Sequence, residues 1–572
     1  MNTVAKRLVL GAAIATLAAP AYAQADDQAL QLKVDELSKK VQQLEEKSQN
    51  QQKELTRKVE KLEDKSLSKW LTIGGDYRFR FDSLRGQTAA FTDAMGTFNN
   101  AAAQLQGAFF ADPTNPINAA MLSGLMNFSN QMQNTNTLSG ARNFLGQAST
   151  QQMIGGLGNF AKQVPSYRPN NDSLYTNRLG LDLHAKATKD VTVNVRLLAY
   201  KVFGAQDDSA ITNNGSAPFF ADRTGVFDGT LGHVPSSSLL DVDRAYATWS
   251  NIGDQPVWFS VGRRPSTNGA PSNLRLNNPR PGNGGTPALL VDYAFDGMTL
   301  GYAPDIDALP GAYAKVCYGR GFESGFENPA NSLNDTDMLG IAVIPIDTDP
   351  LRVWLQWNRG FSIFDFPTMQ NTAFGNTAPK VNLGDIDWYG AGAMSTIKNV
   401  GPGKLNFFGD AGLSVTHPNN NVSGQAGFQG LMTGRFLQPE APTDKTGWAA
   451  YVGARYDYEP SRTKVGLEYN HGSKNWITFA PSADDMWTSK LGTRGDVYEA
   501  YLIQELNLKP ISSYLATAFF RLGYQYYSFD YTGSNNWVGA PVKISEVKST
   551  DMMLLTPLKY AQDIYLTFEV KF

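Results

Sequence analysis

The closing segment of the chain, LKYAQDIYLTFEVKF (558–572), repeats with a period of two. Ile564, Leu566, Phe568, Val570 and Phe572 fall on one face, and Asp563, Thr567, Glu569 and Lys571 on the other. One greasy and one charged face make a strand that lies between two different media. The same alternation begins at residue 70. In LTIGGDYRFRFD, Ile73, Tyr77, Phe79 and Phe81 share one face, and Asp76, Arg78, Arg80 and Asp82 share the other. Two arginines and two aspartates on one strand face need water or each other. In a soluble sandwich that face points outward. In a membrane barrel it lines a wet lumen, and the aromatics meet lipid.

The pattern recurs in pairs. Leu179, Leu181, Leu183 and Ala185 alternate with Arg178, Asp182, His184 and Lys186; Val191, Val193, Val195 and Leu197 alternate with Asn194 and Arg196. Further strands are predicted near 240–250, 256–266, 288–304, 311–323, 337–346, 351–363, 384–398 and 404–416. The rest fall near 445–458, 463–473, 495–508, 513–530 and 556–572. That makes sixteen strands, with fourteen and eighteen as the neighbouring counts. Connections at 189–190, 251–255, 305–310, 347–350, 399–403, 459–462 and 509–512 are short, and the others mostly long, up to the 91 residues of 83–173. Strict alternation of short turn and long loop is the layout of an outer-membrane barrel, with the turns in the periplasm. Within 288–304 the apolar set moves from Val291, Tyr293 and Phe295 to Met298, Leu300 and Tyr302 across Asp296-Gly297, which predicts a β-bulge. Trp70, Trp249, Trp258, Tyr456 and Tyr458 lie beside short turns and are expected in an interfacial aromatic girdle.

The expected architecture is therefore all-β and transmembrane: an antiparallel outer-membrane barrel of about sixteen strands over 70–572, preceded by an α-helical coiled coil. Residues 1–23 have the form of a signal peptide: Lys6 and Arg7, an apolar run from Leu8 to Ala19, then Ala21-Tyr22-Ala23. Over 29–66, Leu30, Val34, Leu37, Val41 and Leu44 step by heptad spacing, and the seam resumes shifted at Leu55, Val59 and Leu62. Val at a with Leu at d favours a dimer, whereas porins are usually trimers; the expectation follows the trimer. The insertion 83–173 is rich in Ala, Asn, Gln and Gly, and Asn115-Pro116 starts a helix there. It is expected to be a partly helical extracellular loop that plugs the lumen, caps it or docks a partner.

A net charge of −3 and a pI near 5.9 give no sign of nucleic-acid binding. The single cysteine, Cys317, permits no internal disulfide and no CxxCH haem attachment. Four histidines stand at no metal-ligand spacing, and no nucleophile or phosphate-loop motif appears, so neither enzyme nor resident cofactor is expected. A barrel of sixteen strands is too wide to be filled by its own wall side chains and leaves an aqueous channel. The chemistry is then permeation. The pore-lining candidates are Asp76, Arg78, Arg80, Arg178, Asp182, Lys186, Arg196, Arg264, Arg352 and Arg521. Over the first strands, six cations against Asp76, Asp82 and Asp182 predict a basic arc favouring anions.

The closing strand resembles the terminal strand of bacterial outer-membrane barrels, whose final Phe is read by the assembly machinery. The stretches LTIGGDYRFRF (71–81), DVDRAYATWSN (241–251), VWFSVGRRPSTNGAPSNL (257–274) and CYGRGFESGF (317–326) resemble a poorly characterised family of porin-like outer-membrane proteins. Some members occur beside multihaem c-type cytochromes in metal-reducing bacteria. The resemblance implies a porin in outer-membrane lipid, trimeric by family habit, and the strand number, lumen charges and loops lead to the expectation that it passes small hydrophilic solutes, anions among them. Two alternatives accompany it: a barrel sheathing a multihaem cytochrome as an electron conduit, and an envelope tether acting through the coil.

Overall fold

The computed structural model describes residues 36–41, 44, 47, 70–204, 239–266, 269–281, 289–329, 331–366, 369–372, 375–480, 485–508 and 516–572. The signal peptide expected at 1–23 lies outside them. Of the coil expected over 29–66, residues 36–41, 44 and 47 are described; they are helical, and Lys40 pairs with Glu36 at 3.1 Å. Residues 71–572 form a unit of their own.

That unit is a closed antiparallel barrel of sixteen strands. The first eight are β1 (Leu71–Thr88), β2 (Asn170–Lys186), β3 (Val191–Val202), β4 (Leu239–Trp249), β5 (Val257–Ser266), β6 (Tyr293–Tyr302), β7 (Tyr313–Phe322) and β8 (Thr336–Asp347). The remaining eight are β9 (Leu351–Phe364), β10 (Asn382–Val400), β11 (Gly403–Pro418), β12 (Lys445–Tyr458), β13 (Thr463–Gly472), β14 (Gly495–Glu505), β15 (Thr517–Phe529) and β16 (Leu558–Lys571). Each strand pairs with its sequence neighbours, and β16 returns to β1, with Arg78 opposite Glu569 and Phe81 opposite Leu566. Closure leaves no edge with unpaired backbone groups. Leu179, Val261, Leu300, Leu355, Leu467, Leu522 and Leu566 stand exposed on the outer surface. Among the described residues no helix is long and apolar enough to cross a membrane.

Two expectations fail for one physical reason: the inner side of this barrel is apolar in places. The ladder of β6 runs without a shift from Tyr302 opposite Val257 to Phe295 opposite Arg264, so there is no bulge at Asp296-Gly297. Met298, Leu300 and Tyr302 point outward and are exposed, while Tyr293 and Phe295 point inward onto Phe479, at 5.3 and 5.5 Å between ring centroids. The apolar set changes face because the inner medium changes along the strand. Trp258 likewise leaves the predicted girdle. Its outward neighbour Val261 is exposed, while Trp258 itself lies inside against Gly301, where an added Cβ would come 2.1 Å from the indole. Trp70, Trp249 and Tyr458 are exposed as expected.

β1 runs on to Thr88 and β2 starts at Asn170, so the long insertion is shorter than 83–173. It holds helices α1 (Ala94–Ala111), α2 (Pro116–Gln133), α3 (Leu138–Gly146) and α4 (Ala148–Leu157). Asn115 caps α2 by accepting from the Ile117 N–H at 3.0 Å, with Pro116 in the first turn, where a missing N–H costs nothing. Leu105, Leu125, Phe128, Leu138 and Phe144 bury their apolar sides against Val422 and Phe428 of the β11–β12 loop. The insertion therefore caps that loop.

Candidate permeation path

The two intruding segments are the β5–β6 loop and the β13–β14 loop. The first carries a short helix, α5 (Ser272–Arg275), in which local backbone N–H groups satisfy the Ser272, Asn273 and Leu274 carbonyls and the task of satisfying those from Arg275 to Asn277 falls to side chains. Wall cations accept the task. Arg455 donates to the Leu274 carbonyl at 2.5 Å, Arg521 to that of Arg275 at 2.7 Å, and Lys571 to those of Leu276 and Asn277 at 2.7 and 3.1 Å. Lys464 reaches the Asn277 side chain at 2.6 Å. The helix's own Arg275 donates to Glu499 at 2.8 Å and Asp485 at 2.9 Å. Glu499 also accepts from Lys490 and Tyr565, each at 2.6 Å, and Lys490 bridges on to Glu468. Most of these charges are buried, Lys464 and Lys571 partly so, and each is answered by an opposite charge or a backbone dipole.

Nearer the long-loop end the filling is apolar. Leu289–Val291 and Trp476–Ala480 lie side by side, with Phe479 N–H donating to the Leu290 carbonyl at 2.9 Å and Asp292 N–H to that of Phe479 at 3.0 Å. They rest on a row of small wall residues in register: Gly390 opposite Gly412, and Gly412 opposite Ala449. A Cβ at Gly390 would sit 2.5 Å from Leu290, and one at Gly412 would sit 2.9 Å from Trp476. The wall is cut back to admit the plug.

Among the described residues, two of the cavities border the charged wall. One, of about 250 Å³, is lined by Asp76, Arg178, Asp182 and Arg196 of β1–β3, with Asp243, Arg244 and Lys571. The other, of about 720 Å³, lies against β2–β9 and reaches the short turns at Ala303 and Thr348. His184, Trp258, Arg264, Arg280, Lys315 and Arg352 line it together with Asp347 and Asp349.

The ten predicted lining residues all fall on the inward parity of their strands, but they do not share one environment. Asp76, Arg178, Asp182 and Arg196 meet at the smaller cavity, Arg264 and Arg352 at the larger one, and Lys186 stands exposed at the short-turn end. Arg78, Arg80 and Arg521 are at most 1 % exposed, Arg521 beneath the docked loop, so they line no open water. The predicted basic arc is also corrected. Arg178 donates to Asp76 at 2.9 Å; Arg196 pairs with Asp76, with Asp182 at 2.5 Å and with Asp243 at 3.6 Å; Arg80 pairs with Asp82 at 2.6 Å and Asp563 at 3.2 Å. Asp243 and Asp563, on strands outside that count, pair with Arg196 and Arg80 and so reduce the excess of cations. Sequence reasoning also missed Lys315, although it shares the inward parity of Cys317. Arg275, Asp485 and Lys490 sit on loops, where no period points the way.

Among the described residues no group of His, Cys, Asp or Glu is arranged to hold a metal. Asp347-Thr348-Asp349-Pro350 is a turn whose carboxylates are taken by Arg352, at 2.6 and 3.3 Å.

No curated protein is similar to the chain. Solved structures that it overlays include an anion-selective porin from Comamonas acidovorans (12 % identity, 88 % of this chain and 99 % of that one, TM-score 0.36). Others are OprB of Pseudomonas putida (10 %, 88 % and 95 %, 0.39) and OmpF of Salmonella typhi in complex with daunomycin (10 %, 87 % and 97 %, 0.35). These overlays are too loose to carry an argument, and the barrel rests on its own ladder of strand pairs. A protein family described only as of unknown function, DUF3373, matches residues 168–572, well over half of the sequence. The chain belongs to that family.

Proposed function

We propose that this protein is an outer-membrane channel through which small hydrophilic solutes, preferentially anions, diffuse. The observation that carries the reading is the larger cavity. It reaches the short turns and sets Arg264, Arg280, Lys315 and Arg352 against only Asp347 and Asp349. Field lines focused by such a lining raise the local concentration of the opposite charge. The exposed apolar belt supports a membrane location, since a soluble monomer rarely leaves that much continuous apolar surface in water. The short turns then face the periplasm and the capped end faces outward. Association into a homotrimer belongs to the same proposal.

A lumen half filled by the chain's own loops leaves little room for a threaded multihaem cytochrome, so the conduit alternative is the weaker one. The test is reconstitution of the full-length protein in planar bilayers. Stepwise conductance with a reversal potential favouring chloride over potassium is the expected result. A correctly folded but silent barrel, or one selective for cations, overturns it.

A further inference from the structure

Arg264 and Lys315 line a second, smaller recess of about 40 Å³ in addition to the main cavity. By the measure of 10–15 Å³ per water, it holds roughly three waters, or one carboxylate with a hydroxyl beside it. The strand register explains why the recess exists. Lys315, Ala342 and Gln356 form one inward row across β7, β8 and β9, and Cys317, Gly340 and Asn358 form the next. The middle strand therefore contributes only a methyl and a hydrogen, and the two flanks stand apart with a gap between them.

The polar atoms around that gap are not all satisfied from within the protein. Gln356 donates its Nε2 to Asn358 Oδ1 at 2.8 Å, which leaves Gln356 Oε1 and Asn358 Nδ2 buried with no hydrogen-bond partner. Both residues are at least nine-tenths buried. A buried acceptor and donor left without partners are each costly, so their retention beside two cations points to something they bind. Arg264 is held in place by its Nε donating to Ser260 Oγ at 2.7 Å and by Trp258 beneath it at 5.8 Å.

We propose that this recess is a binding site for a small 2-hydroxycarboxylate. Arg264 and Lys315 attract the carboxylate, Asn358 Nδ2 donates to it, and Gln356 Oε1 accepts from the adjacent hydroxyl. The site rests on the channel reading in one respect: solutes must reach the lumen.

Cys317 is the only cysteine of the chain and stands in the wall of the recess, so it reports on the site directly. Full-length protein in detergent or vesicles is treated with methanethiosulfonates of equal length, one bearing a sulfonate and one a trimethylammonium group. The sulfonate is expected to modify Cys317 about tenfold faster, because two nearby cations favour it. Glycolate is expected to slow that reaction more than acetate does. Arg264→Gln combined with Lys315→Met removes the charge preference. Gln356→Leu keeps the charge preference and abolishes the advantage of glycolate over acetate. Equal rates for the two reagents, a thiol inert to both, or no protection by glycolate overturns the site. Protection without conductance leaves the site standing and removes the channel, and conductance without protection does the reverse.

Discussion

The wall from β12 through β16 to β1 and the wall from β2 to β9 are built by the same alternation of apolar and charged residues, yet their inner faces serve opposite ends. On the first, charges are sealed in: Glu468, Glu499 and Arg521 are 6 %, 3 % and 0 % exposed and hold the loops. On the second, carboxylates such as Asp182 and Asp349 keep about half of their side-chain surface in water, and their partners border cavities. An inward charge is thus a structural clamp or a permeation group according to what the long loops lay over it. Strand parity alone does not distinguish the two.

The sharpest way to break the contrast is Glu499→Ala. It leaves Arg275 with Asp485 alone and Lys490 with Glu468 alone in a buried site, and removing one member of a buried ion network costs about 3–5 kcal/mol. Urea titration of the barrel in lipid is expected to show that loss, with a larger unit conductance as the β5–β6 loop comes free. Unchanged stability and conductance together sink the clamp. Gly412→Leu has a middling effect. It overpacks the seat of Trp476, at about 1–3 kcal/mol, and is expected to shift tryptophan emission to the red. An unaltered spectrum and midpoint argue that the plug does not rest there. Arg352→Ala on the wet wall is the mildest for stability, since pairs with half-exposed carboxylates contribute about 0–1 kcal/mol. Its signature lies in transport: a reversal potential moved toward cations with the unfolding curve in place. A large stability loss there would make the two walls alike after all.

The strand count, the alternation of turns and loops, and the inward parity of residues from Asp76 to Arg521 were legible because each follows from a period of two between unlike media. The rule assumes one medium per face, and it erred where that assumption fails. Val291, Tyr293 and Phe295 look lipid-facing by composition, but the medium they meet is Phe479 and its neighbours. Trp258 looks interfacial by type and turns out to shield Gly301. Arg275 and Asp485 were invisible because loops carry no period, and their partnership spans 210 residues. The cap on α2 was readable for the converse reason: Asn115 and Pro116 act on backbone groups within one turn.

The grip of Lys571 on the carbonyls of Leu276 and Asn277 links residues nearly three hundred positions apart. Lys571 lies at the end of the last strand, and Glu569, which holds Arg521, is two residues before it. The β5–β6 loop therefore has no complete seat until the final strand has joined the first. Contacts of such long range form late, after the chain entropy of closure has been spent. During assembly the lumen is emptier than it will ever be again, and the loop that fills it is latched by the same residues that complete the ring.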